Sequence, residues 1–233
     1  MNCSYGLRGA LNVLDALSYA PGPVVCRVRF GGRIVEDDDQ LVASRRTVLG
    51  MADATDELRA FACWCVRETP IADGRKVWDL LMDDERSRAA VRIAERYVRG
   101  EATNEDLVAA LDSAEAAAWD AAKAVTRAAG CPVRTGTYAS TAYYAASAVL
   151  GSDASFGAKI AARIAAEAAA WASAESAKKV DNKYAAWDIT WDTTKSNARI
   201  AVRADAKVAA GVAVRNAQSQ ELERRMLKLL EAN

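Results

Sequence analysis

From residue 137 to the C-terminus the chain is dominated by alanine, with charges every few residues and large side chains spread thinly. This feature narrows the fold more than any other. Alanine has the highest helix propensity and loses no side-chain entropy on burial. It is a poor strand former, having little to pack across a pleated surface. Helices are therefore expected over about residues 137–150, 155–179 and 182–231. Alanine lets helix backbones approach closely, while sparse tryptophans fill the wider gaps. Leu222, Met226, Leu229 and Leu230 lie at i, i+4, i+7 and i+8, a stripe that must bury against something. An alanine core buries less apolar area per helix than a leucine core. Several helices packed together, completed by a second subunit, are the expected arrangement, so a homo-oligomer is predicted.

A loose repeat runs through this half: Ala117-Ala118-Trp119-Asp120, Ala169-Ala170-Trp171-Ala172 and Ala185-Ala186-Trp187-Asp188, with Trp191-Asp192 one turn later. Its spacing is irregular, which argues against a solenoid. Tyr184, Trp187 and Trp191 share one helical face. They pack a core or an interface, or they form an aromatic platform for a flat, nucleotide-like ligand.

The first fifty residues differ. Leu7, Leu11, Leu14 and Leu17 have helical spacing, and Pro21-Gly22-Pro23 ends that segment. The run from Val24 to Phe30 reads as a strand with Val24, Cys26, Val28 and Phe30 on one face. Gly31-Gly32 is a two-residue turn signal, Arg33-Ile34-Val35 returns as the second strand, and Asp37-Asp38-Asp39 is a polar loop. Residues 41–49 give another strand. Arg27, Arg29 and Arg33 project from one face of this hairpin, with Arg45-Arg46 nearby in sequence. Such a cluster either is a solvated face or meets phosphate or carboxylate groups. The expected architecture is mainly α: a small α+β module over residues 1–50 and an alanine-rich helical bundle over 51–233.

Within the bundle, Asp53 or Thr55 caps a helix carrying Leu58, Phe61, Ala62, Cys65 and Val66, broken by Pro70 and Gly74. A short helix follows at Val77, Trp78, Leu80 and Leu81. Ser87 or its neighbours open another, stopped by Gly100. Thr103-Asn104-Glu105-Asp106 combines a capping side chain with first-turn acids, a strong start signal for a helix reaching about residue 129.

Composition excludes several chemistries. There is no histidine, which removes Ser-His-Asp and Cys-His catalysis and the common His-containing zinc sites. Cys3, Cys26, Cys63, Cys65 and Cys131 are odd in number and form no CxxC pair, so reduced thiols are expected. Asp37-Asp38-Asp39 lacks the pattern of a calcium loop, and Asp83-Asp84-Glu85 reads as a charge cluster at a helix start. No phosphate-loop, dinucleotide, nucleophile-elbow or zincin motif occurs. No cofactor is predicted. Lys+Arg and Asp+Glu are both 31, and this zero net charge argues against general nucleic-acid binding. The start lacks a basic segment before an apolar run, and no apolar stretch is long enough to span a bilayer, so a cytoplasmic protein is expected.

Two stretches resemble a known group. Leu14-Asp15-Ala16-Leu17-Ser18-Tyr19-Ala20-Pro21, Val25-Cys26-Arg27-Val28, Gly32-Arg33-Ile34-Val35-Glu36 and Leu41-Val42-Ala43-Ser44 resemble an N-terminal module of uncharacterised phage and prophage proteins. Leu58-Arg59-Ala60-Phe61-Ala62-Cys63-Trp64-Cys65 and Ala94-Glu95-Arg96-Tyr97-Val98-Arg99-Gly100 resemble an immunity-protein-like helical domain. The resemblance implies an accessory protein that sequesters or blocks a host protein or a small signalling molecule, and it supplies no catalytic residues. Two other readings stay open: a structural oligomer assembled through the C-terminal stripe, and an enzyme acting through the acidic or arginine groups of the N-terminal module. Across these readings the candidate binding residues are Arg27, Arg29, Arg45, Tyr184, Trp187 and Trp191.

Overall fold

The computed structural model describes residues 6–37, 39–127, 133–151, 153–185 and 193–232, with side chains described outside 121–139 and 174–207. The chain is mainly α-helical with a small antiparallel sheet at its N-terminal end. In order, the elements are β1 (Leu7–Gly9), α1 (Val13–Tyr19), β2 (Val24–Glu36), β3 (Leu41–Asp53), α2 (Thr55–Glu68), a 3-10 turn (Val77–Leu81), α3 (Glu85–Val98), α4 (Asn104–Arg127), α5 (Val133–Leu150), α6 (Ala154–Ala185) and α7 (Thr193–Ala232).

Helix α2 starts after Ala54, with no side-chain cap, so neither Asp53 nor Thr55 is its N-cap, though Asp53 accepts from the Thr55 N–H at 2.9 Å; α3, α4 and α6 start where side chains satisfy free N–H groups. Asp84 caps α3 by accepting from the Ser87 backbone N–H at 3.2 Å. Before α4, Thr103 Oγ1 accepts from the Asp106 N–H while Asp106 Oδ2 accepts from the Thr103 N–H, at 3.2 and 3.0 Å. This reciprocal pair is a capping box with Asp in place of Glu. Asp153 opens α6 by accepting from the N–H groups of Ser155 and Phe156, both at 3.0 Å.

Alanine sets the packing. Along α6, Ala154, Ala158, Ala161, Ala165, Ala168, Ala169 and Ala172 are buried at helical spacing. On α5, Ala142, Ala145, Ala146, Ala148 and Val149 face inward. The two helices meet so closely that a Cβ added to Gly157 would lie 2.4 Å from the Ala148 Cα. The larger fully buried residues come from several elements: Phe61 and Val66 from α2, Leu81 from the 3-10 turn, Leu107 from α4 and Leu222 from α7. Polar pins cross the alanine layers. Buried Gln218 on α7 donates to the Ala162 carbonyl on α6 at 3.0 Å and to Thr69 Oγ1 at 3.3 Å.

Several expectations are corrected. Leu7 lies in a strand, not a helix, and Leu11 is 81% exposed; only the end of that segment is helical, and Leu17 joins the core. The short segment at Val77 is a 3-10 turn. Residues 182–185 belong to α6 and α7 is described from Thr193, while residues 186–192 of the expected last helix lie outside the described residues. Trp119 and Trp171 do not fill gaps: they are 61% and 38% exposed. Leu222 and Met226 are buried against Leu17, Leu58, Phe61 and Ala158, with Leu229 packed beside them. Leu222 and Met226 of the C-terminal stripe are thus covered within the chain, while Leu229 and Leu230 are half-buried.

The sheet has the order β1-β3-β2. Gly31-Gly32 is not its turn. β2 runs straight through both glycines, and the chain reverses between Glu36 and Leu41, where the Asp37 N–H donates to the Gln40 carbonyl at 2.8 Å. Gly31 pairs with Arg45 and Ile34 with Ala43, so Gly32 and Arg33 together oppose Ser44. This is a β-bulge, and Gly32 takes φ of +76° to make it. Local glycine chemistry fits either feature; the pairing of β2 with the whole of β3 decides between them. A second bulge leaves Leu49 extra between the pairs Arg27–Gly50 and Val28–Val48.

Candidate functional site

β2 and β3 each contain 13 residues, so the ribbon is roughly 40 Å long at about 3.3 Å per residue. Its root is tied to the bundle, where Ala52 and Ala54 are buried and Leu230 approaches Gly50. Its far end is covered too, with Leu41 and Ala43 buried beneath β1, but the stretch between is open. Ile34, Val35, Val48, Leu49 and Met51 are 40–64% exposed, and Arg27, Arg29, Arg33, Arg45 and Arg46 are exposed with them. β1 pairs only with residues 41–43 of β3, and the outer edge of β2 has no strand partner among the described residues.

Three of the sequence-predicted residues come together on this arm. Cross-strand partners share a sheet face. Arg29 opposes Thr47 and Gly31 opposes Arg45, so Arg27, Arg29 and Arg45 lie on one face. Arg33 does not join them, because the bulge at Gly32 turns it to the side of Ser44, whose Oγ accepts from the Arg33 N–H at 3.0 Å. Of the aromatic trio, Trp187 and Trp191 lie outside the described residues, and only the backbone of Tyr184, within α6, is described.

Charge pairing separates the arm from the bundle. In the bundle, arginines meet carboxylates: Arg67 binds Glu95 through two bonds of 2.8 Å, Arg86 reaches Asp120 at 2.9 Å, and Arg225 bridges Glu221 and Glu57 at 2.7 and 3.1 Å. Arg67 and Arg88 also lie over the Trp78 ring, at 3.6 and 4.5 Å from its centre. On the arm, none of Arg27, Arg29, Arg33, Arg45 or Arg46 pairs with a carboxylate among the described residues. The paired strands 24–36 and 41–53 contain these five arginines, with acids only at their ends, Glu36 and Asp53. Sequence reading found the residues but not this contrast, because pairing across the bundle is set by tertiary distance.

A cleft of about 510 Å³ opens at the root of the arm. Its floor is Leu17, Leu58, Leu222 and Met226, its wall is Pro21-Gly22-Pro23 with Cys26, and Arg8 and Arg46 stand at its edge. The Arg46 guanidinium donates to the Arg8 carbonyl at 2.9 Å, and the Arg8 guanidinium reaches Gln40 Oε1 at 3.4 Å. Tyr19, also on the wall, donates its hydroxyl to Asp39, and this bond raises the phenol pKa. Helix α1 is held in place by Ser219, whose hydroxyl donates to Asn12 at 2.8 Å, and by Lys159, which donates to the Ser18 carbonyl at 2.7 Å. No motif announces this cleft, because it needs α1, the arm and α7 brought together.

A smaller hollow of about 270 Å³ lies beside Cys63, Trp64, Arg67, Glu95 and Arg99. Its charges are used internally: Arg67 holds Glu95, and Arg99 holds Glu101. Burial pushes the Cys63 thiol up to about 12 and raises Cys65 as well, so both are neutral near pH 7 and poor nucleophiles. Cys26 is free and exposed; Cys3 and Cys131 lie outside the described residues. Among the described residues no group of three Cys, Asp or Glu side chains converges as metal ligands would, and Asp38 lies outside them. No described helix is long and apolar enough to cross a membrane. No protein-family model matches the chain, and no curated protein or solved structure matches it.

Proposed function

We propose that this is a binding protein whose basic β-arm docks on an acidic protein surface and blocks or sequesters that partner. The phage-type, immunity-like accessory role implied by the sequence resemblance belongs with this reading. The observation that carries it is the set of arm arginines without carboxylate partners among the described residues, on a chain whose bundle arginines largely have them. Arginine is enriched at protein interfaces, where its planar head pairs with carboxylates in a two-bond geometry. Exposed Ile34, Val48, Leu49 and Met51 add apolar area between the charges. The free edge of β2 offers backbone donors and acceptors for an added strand. A second copy is a poor fit to that edge, since pairing β2 with itself would crowd Arg27, Arg29 and Arg33 against their equivalents. The mixture of aliphatic and basic side chains suits a protein surface better than a nucleic-acid groove, and the zero net charge gives no general attraction to phosphate backbones.

The test uses a short strand-forming peptide of alternating Glu and Val, with a Lys and Val peptide and a short duplex DNA as comparisons. The acidic peptide is expected to bind, to weaken with added salt, and to lose about tenfold or more in affinity when Arg27, Arg29 and Arg45 are all replaced by Glu. Tighter binding of the duplex than of the peptide would overturn the protein-partner reading. So would unchanged peptide affinity in the triple variant.

A further inference from the structure

We propose that the cleft at the root of the arm is a binding site for a small amphipathic acid, a molecule with one anionic head and a medium-length apolar chain. The cavity has the volume of a small-molecule site, about 510 Å³. Its floor is not ordinary surface. Leu17, Leu58, Leu222 and Met226 come from α1, α2 and α7 and are members of the main core cluster, so the cleft opens directly onto the hydrophobic interior. An apolar chain seated there rests on Val13, Ala20, Pro21 and Val24, the more open apolar lining, above core side chains that are only 1–7% exposed. Arg8, Gln40 and Arg46 are joined by hydrogen bonds and so lie together on the lining. Arg8 and Arg46 stand at the cleft edge, and their observed partners are a neutral carbonyl and a neutral amide. Neither meets a carboxylate among the described residues. A guanidinium carries five donors, so both retain capacity for a carboxylate. The acids nearest in sequence are already engaged: Asp39 accepts from Tyr19, and Asp15 pairs with Arg215. Clustered cationic groups above a core-lined floor select a head and a tail together. They fit neither a neutral hydrocarbon nor a bare anion as well.

The probe is decanoate, with decanol and inorganic phosphate as comparisons, on the full chain carrying Cys3→Ser and Cys131→Ser. Titration calorimetry reads affinity, and alkylation of Cys26, on the cleft wall, reads location. Decanoate is expected to bind one-to-one, to slow Cys26 alkylation severalfold, and to weaken roughly tenfold in Arg46→Gln or Arg8→Gln. Ala16→Trp, at an exposed position on the cleft wall, is expected to abolish both the binding and the protection while leaving acidic-peptide binding to the arm intact. Equal affinity for decanol would overturn the role of the arginines. Phosphate binding as tight as that of decanoate would overturn the role of the apolar floor. Binding without protection of Cys26, or no binding, would overturn the site.

Discussion

The smallest residues in this protein carry its tightest constraint. Gly157 faces the Ala148 backbone across the α5–α6 contact, and no side chain can move aside to admit a methyl group there. Gly157→Ala, which would raise intrinsic helix propensity, is instead expected to destabilise the fold by about 1–3 kcal/mol. Urea unfolding checks this; an unchanged or higher midpoint would show that the two helices can separate at little cost. Elsewhere alanine works because it is small and uniform. Each buried methyl contributes little, but none loses rotamer entropy, and close backbones gain dispersion contacts. Specificity is left to the few polar residues crossing the layers, chiefly Gln218 and Ser173, whose hydroxyl donates to Ala169 and accepts from the Ala72 N–H.

At the scale of the element, the arm is the part least dictated by burial. Both bulges interrupt its ladder, and a long exposed ribbon without them would be flatter and readier to pair with itself. Gly32 makes the outer bulge: a Cβ there would lie 2.1 Å from Ser44 Oγ, in a backbone conformation that branched residues avoid. Gly32→Val is therefore expected to shift or remove the bulge and redirect Arg33. Because Gly32, Arg33, Ser44 and Arg45 are exposed at this bulge, the global unfolding midpoint should change little while affinity for an acidic strand peptide changes severalfold. Parallel chemical unfolding and peptide titration separate the two effects. A large fall in the midpoint would instead make the outer arm part of the cooperative core.

For the whole molecule, the absence of histidine leaves no side chain with an ordinary pKa between about pH 5 and 8, so stability should be flat there. The acid limb is set by carboxylates held below their usual range. Glu221 is lowered chiefly by its bond to Arg224, Asp153 by the Ser155 hydroxyl, Asp106 by the Thr103 N–H, and Asp53 by the Thr55 hydroxyl. A depressed folded pKa contributes stability above the unfolded value, near 3.8 for Asp and 4.5 for Glu, that is lost as pH falls through the folded value. The alkaline limb has the opposite sign. Buried Cys63 is raised from 9.0 to about 12, so its contribution is full below pH 9.0 and is lost as pH climbs toward the folded value. Thermal melting across pH should show a neutral plateau with both limbs, and Glu221→Gln should flatten the acid one. A midpoint that moves steeply between pH 5 and 8 would contradict this assignment. Much of this architecture is legible in the sequence. Alanine propensity, the Thr103-Asn104-Glu105-Asp106 start and the apolar period of α2 each act within a turn or two of helix, so they fix the mainly helical class and the position of α2 locally. The basic residues of the arm are visible in the same way. What the sequence leaves open depends on partners distant along the chain. Gly31-Gly32 is a bulge and not a turn because β2 finds register with all of β3. The Leu222–Met226 stripe is covered because α1 and α2 reach it first. Most bundle arginines meet carboxylates while those of the arm meet none among the described residues, and the cleft exists where α1, the arm and α7 meet. Propensity and capping are short-range energies carried by neighbouring residues, whereas register, charge pairing and concavity arise only once the chain has closed on itself.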